Sequence, residues 1–115
     1  MIAAALIAAA VTAQVGAGLD CALGFDALAA QFAAAKPTPY ASADPLLETS
    51  SDNDLRLYTV TRAGHPAHPM AVKRQIKVGG ATTVETSACG FGDKAAFETL
   101  IQQIYQLNVR LAQSY

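Results

Sequence analysis

The chain has 115 residues, with eight Lys and Arg against nine Asp and Glu, a formal net charge of −1 and a pI near 6.0. Such a balance supplies no overall field to recruit nucleic acid or an anionic membrane surface, and neither partner is expected. The hydrophobic fraction of 52% is swollen by alanine and by the opening segment, so it does not mark an unusually apolar surface.

Residues 1–19 carry no charged side chain, and residues 2–11 form an unbroken apolar run of the length of a signal-peptide core. Small residues then stand where a signal peptidase reads: Val11 and Ala13 before Gln14, or Val15 and Ala17 before Gly18. The segment therefore reads as a signal peptide over 1–17, cleaved after Ala13 or Ala17, although no Lys or Arg precedes the apolar run. The competing reading is an uncleaved anchor, because a bilayer span needs about 20 apolar residues; Gln14, Gly16 and Gly18 weaken its second half. Asp20 argues against a lipid on Cys21, since a small residue precedes a lipidated cysteine. With the leader removed, no stable membrane span is expected. About 100 residues then remain over 18–115, enough for one domain with one core.

Cys21 and Cys89 are the only cysteines. In an exported chain they admit one intramolecular pairing, and an oxidising periplasm or extracellular space makes the disulfide the default. Their wide separation does not fit the closely spaced pair of a redox enzyme.

Over residues 20–35, Cys21, Phe25, Leu28 and Phe32 recur at helical spacing, with Asp20 as N-cap and Lys36-Pro37 as the stop. Residues 37–54 hold three prolines and four acids and read as a long loop; Asp52-Asn53-Asp54 offers hard oxygens but lacks the glycine and distal glutamate of a calcium loop. Three strands follow, over 55–62, 70–78 and 81–88, and Gly79-Gly80 predicts a tight type I′ hairpin between the last two. Met70, Val72, Ile76 and Val78 alternate with Lys73, Gln75 and Lys77, and parity puts Arg74 on the apolar face. A guanidinium there is costly unless it snorkels to an edge, meets a carboxylate or enters a polar pocket, and Glu85 is the first partner to test. Gly92-Asp93 then opens a helix in which Phe97, Leu100, Ile104, Leu107 and Leu111 step by threes and fours, with Ile101 widening the stripe.

The fold expected is α+β: an N-terminal helix, a three-stranded antiparallel meander and a C-terminal amphipathic helix, both helices covering one sheet face and the other face open to solvent. The disulfide would tie the first helical turn to the exit of the third strand.

No motif specifies a reaction, a cofactor or an oligomeric state. Both histidines lie in Gly64-His65-Pro66-Ala67-His68-Pro69, where polyproline II geometry would project His65 and His68 from one side about 9 Å apart, an awkward span for a single ion. Lys73, Arg74 and Lys77, with Arg62, form a basic group suited to an anionic envelope partner, a protein patch or a polysaccharide. The sequence thus reads as a small exported, non-enzymatic binding or envelope-associated protein, periplasmic or secreted. The competing class is a metal-binding protein or enzyme using His65 and His68.

Overall fold

The structure is a computed structural model, and it describes residues 10–115. Most of the apolar leader run therefore lies outside the described residues. The elements are β1 (Ala13–Val15), a 3-10 turn (Cys21–Leu23), α1 (Phe25–Ala34), β2 (Thr38–Tyr40), β3 (Leu47–Ser51), β4 (Arg56–Thr61), β5 (Met70–Lys77), β6 (Thr83–Gly90) and α2 (Lys94–Ala112).

The class is α+β, but the sheet has six strands, in the order β1-β6-β5-β4-β3-β2, and every neighbouring pair is antiparallel. The three-stranded meander is its centre, β4 to β6. The three added strands come from segments without a strand signature. β1 lies in the stretch read as the end of the leader, and β2 and β3 lie in the proline- and acid-rich stretch read as loop. Their sequences, AQV, TPY and LETSS, are too short or too polar to show a period of two. Pro39 is tolerated because β2 is an edge strand.

The second correction concerns layering. Register puts Met70, Val72, Arg74 and Ile76 of β5 on one face with Ala88 of β6 and Leu57 and Thr59 of β4, and α2 covers that face through Phe97, Leu100, Ile101 and Ile104. The opposite face carries Ala71, Tyr58 and Cys89, and α1 covers it with Leu28 and Phe32. The helices sandwich the sheet because β5 is apolar on both faces where they pack, and Ala71 leaves room for α1. Each fully buried Leu, Phe or Ile stabilises the fold by roughly 2 kcal/mol, so both layers matter.

The first helix is broken where the sequence suggested continuity. Gly24, at φ 86°, separates the 3-10 turn from α1, a conformation most side chains avoid. Asp20 caps the turn, its carboxylate accepting from Ala22 N–H, and Cys21 stays buried. At the far end, residues 78–82 connect β5 to β6 from the Lys77–Thr83 pair onward, so the connection is longer than the expected two-residue turn. Gly79 and Gly80 do not take the positive φ that a type I′ turn requires.

The Cys21–Cys89 disulfide is present, with a Cα–Cα distance of 5.5 Å, and both residues belong to the α1-side core. It joins the 3-10 turn to β6 beside Ala71, the register partner of Cys89. Such a bond belongs to an oxidising, extracytoplasmic environment. Among the described residues, no helix is long and apolar enough to cross a membrane.

Candidate functional site

The apolar stripe of α2 is longer than the sheet surface it covers. Phe97, Leu100, Ile101 and Ile104 are buried, whereas Leu107 is 45% exposed. Beyond Ile104 the helix continues opposite residues of strands β2 to β4. Between them lies a cleft of about 450 Å³. Leu100, Ile104, Leu107 and Leu111 form its helix wall, and Leu47 and Leu57 its sheet wall. Tyr40 of edge strand β2 and residues 41–44 close one side.

Arg74 lines the cleft from the central strand β5 and is only 6% exposed. Its Nη1–H donates to Asn108 Oδ1 at 3.3 Å, and Asn108 Nδ2–H in turn donates to Thr86 Oγ1 at 2.9 Å. Nε is buried without an acceptor, and among the described residues Nη2 makes no hydrogen bond and no carboxylate lies within ion-pair distance. Burial pulls the guanidinium's pKa down, partly opposed by the neighbouring Tyr40. It remains a cation near neutrality, because an arginine side chain is protonated throughout the range in which proteins fold.

Glu85 is not its partner. It stands opposite Gln75 in the register, on the other sheet face, and pairs with Lys77 at 2.8 Å. The basic group of the sequence is divided in the same way: Lys73 and Lys77 share that face, and Arg74 points away from both. The second cation of the cleft is Arg110 on α2, which spacing alone did not single out. Asn108 was also missed, although it follows Ile104 by four on the buried stripe, as conspicuous a polar intruder as Arg74 on its strand.

Of the cleft's other polar side chains, Ser42, Asp44, Thr49, Thr59 and Ser114 are engaged, whereas Tyr40, Gln103, Gln106 and Arg110 make no side-chain hydrogen bond among the described residues. Thr49 and Thr59, cross-strand partners, share a hydrogen bond of 2.9 Å between their hydroxyls. Asp44 accepts from Leu46 N–H at 2.8 Å and stands 3.5 Å from His65 Nε2, so its charge is turned to the rim.

The His-Pro motif does not adopt polyproline II geometry. His65 N–H donates to Arg62 C=O and His68 N–H to His65 C=O, giving successive turns. His65 Nδ1 accepts from Ala67 N–H at 3.0 Å, which leaves Nε2–H toward Asp44. His68 Nδ1 lies 3.0 Å from Thr61 C=O, and its ring meets Phe25 edge-on at 5.2 Å. The two rings thus serve different neighbours and fasten the β4–β5 connection to different elements. Among the described residues no three His, Cys, Asp or Glu side chains gather as metal ligands. Asp52 and Asp54, the oxygens considered for calcium, both pair with Arg56 at 2.8 Å.

Compared with protein-family models, curated proteins and solved structures, the chain matches none. Its functional reading rests on the cleft.

Proposed function

We propose that the protein is a small exported binding domain, periplasmic or secreted, and that the α2–sheet cleft is its ligand site. The observation that carries this reading is Arg74: a nearly buried guanidinium with unused N–H donors at the floor of an apolar cleft. Burying an unpaired charge costs several kcal/mol, and an isosteric apolar residue would avoid that cost. A cleft that keeps the charge is suited to an anion supplied from outside. Of the envelope protein or polysaccharide partner expected from the sequence, only the negative charge is kept in this reading, with Arg74 and Arg110 in place of the divided strand cluster.

Export is the second half of the proposal, and it favours cleavage after Ala13. Val15 pairs with Ala88 and packs against the α2-side core, and Gln14 pairs with Cys89. A cut after Ala17 would strip both from the sheet. Intact-mass measurement of the extracytoplasmic fraction, before and after reduction and alkylation, is expected to give a chain beginning at Gln14 with no alkylatable thiol until reduced. Recovery of uncleaved chain with two free thiols would overturn export.

Ligand binding is tested with anilinonaphthalene sulfonate, an apolar monoanion. Saturable fluorescence enhancement by the folded protein, abolished by Leu107→Trp at the cleft mouth, is expected. No enhancement, or enhancement indifferent to Leu107→Trp, removes the cleft as a site.

A further inference from the structure

We infer that the cleft takes an unbranched aliphatic carboxylate of medium chain length, with the carboxylate on Arg74 and the hydrocarbon between α2 and the sheet. This rests on the reading of the cleft as a ligand site and adds the chemistry of the ligand.

The headgroup follows from which nitrogens are free. Asn108 occupies Nη1, the nitrogen on the side away from Nε–H. What remains is the edge formed by Nε–H and Nη2–H, two parallel donors that match the two oxygens of one carboxylate. Nε is buried, so a carboxylate reaches it with a small turn of the guanidinium about the retained Asn108 bond, whose length of 3.3 Å tolerates that adjustment. Asp44, the one acid lining the cleft, is held at the rim by Leu46 N–H and His65, away from the role of internal counter-ion.

The tail follows from the walls. Leu47 and Leu57 face Leu100, Ile104, Leu107 and Leu111, and the threonines between them hydrogen-bond each other. A peptide laid between these walls brings two backbone polar groups per residue, and beside the aliphatic side chains only Tyr40, Gln103, Gln106 and Arg110 are there to meet them. Methylenes need no partners. At the share of about 30 Å³ that a water-sized group occupies in a liquid, 450 Å³ accommodates roughly 15 non-hydrogen atoms, the size of dodecanoate.

The test is displacement of anilinonaphthalene sulfonate by dodecanoate, dodecanol and N-acetyl-leucyl-leucine, each below its aggregation concentration. Dodecanoate is expected to displace the probe at least tenfold more tightly than dodecanol, and the dipeptide acid to displace it weakly. Arg74→Met is expected to erase the preference for dodecanoate over dodecanol, and because it removes a buried charge it is expected to stay folded. In parallel, the carboxyl carbon of [1-13C]dodecanoate is expected to titrate at lower pH when bound to the wild type. Equal affinity for dodecanoate and dodecanol, or tighter binding of the dipeptide acid, overturns the inference while leaving the cleft a site. Failure of the probe itself to bind would instead remove the underlying reading.

Discussion

Asn108 is the only hydrogen-bonding partner that the described residues offer the Arg74 guanidinium, and it reaches Arg74 from α2. Both ends of the amide are engaged at this junction, its oxygen accepting from Arg74 and its nitrogen donating to Thr86. One side chain therefore holds the guanidinium in place and fixes the distance between helix and sheet. Asn108→Leu should remove both bonds and leave a buried charge without any partner. The expected loss is roughly 2 kcal/mol, or about 10 °C in Tm for a domain of this size. Arg74→Met should raise stability on its own, and in the Asn108→Leu background it should recover most of the loss. Thermal denaturation of the four proteins, read as a double-mutant cycle, measures this coupling; strict additivity would mean that Asn108 does not support Arg74.

The disulfide should contribute on a different scale. The two half-cystines are separated by 68 residues, and a loop of that length lowers the free energy of folding by roughly 4 kcal/mol in the chain-entropy picture. Cys21→Ala with Cys89→Ala should therefore lower the guanidinium unfolding midpoint substantially while leaving the helix content of the surviving native state unchanged. A shift worth less than about 1 kcal/mol would show that Leu19, Leu28 and Phe32 hold the α1 layer in place without the cross-link.

What could be read from the sequence was whatever carries a period. Strands β4 to β6, the buried stripe of α2 and the pairing of Cys21 with Cys89 follow from alternation, helical spacing and cysteine count. β1, β2 and β3 do not, because their pairing comes from neighbours already in the sheet. The placement of α1 was hidden for a similar reason: Ala71 and Cys89, which receive it, alternate with the strongly apolar residues that face α2. Arg74 was legible as an intruder on the apolar face. Its environment was not, because the cleft depends on Tyr40 of β2 and on the continuation of α2 beyond Ile104.

Asp52 gives the fold an acid limit. Burial raises its carboxyl pKa, but the Tyr58 hydroxyl at 2.7 Å, the N–H groups of Arg56 and Asp54 and the Arg56 side chain outweigh that and hold it below the usual range. Burial, and then the bond to Asp52, push the Tyr58 hydroxyl the other way, so it remains a donor. Because the folded-state value of Asp52 is depressed, its contribution is present above the unfolded carboxyl pKa of about 3.9 and is lost as pH falls through the lower, folded value. Asp52→Asn should be less stable than the wild type at pH 7, by about 1 kcal/mol, and its Tm should fall less between pH 5 and about 3. Parallel Tm curves over that range would show that the acid sensitivity arises elsewhere.

Gly90 sets the distance between β6 and the start of α2. It pairs with Met70 of β5, and a methyl group there would overlap the ring of Phe97. Phe97 is buried and cannot swing to solvent, which leaves displacement of the first turn of α2 as the only relief. That turn is fixed by Asp93, whose carboxylate accepts from Ala96 N–H at 2.8 Å. Gly90→Ala should consequently cost about 1–3 kcal/mol, as overpacking in a closed core does. Combining it with Phe97→Leu should relieve the overlap, so that the double variant loses less than the two single losses added together. Calorimetric melting of the set decides the matter: simple addition of the losses would place the strain of Gly90→Ala in the backbone of β6, away from its contact with α2.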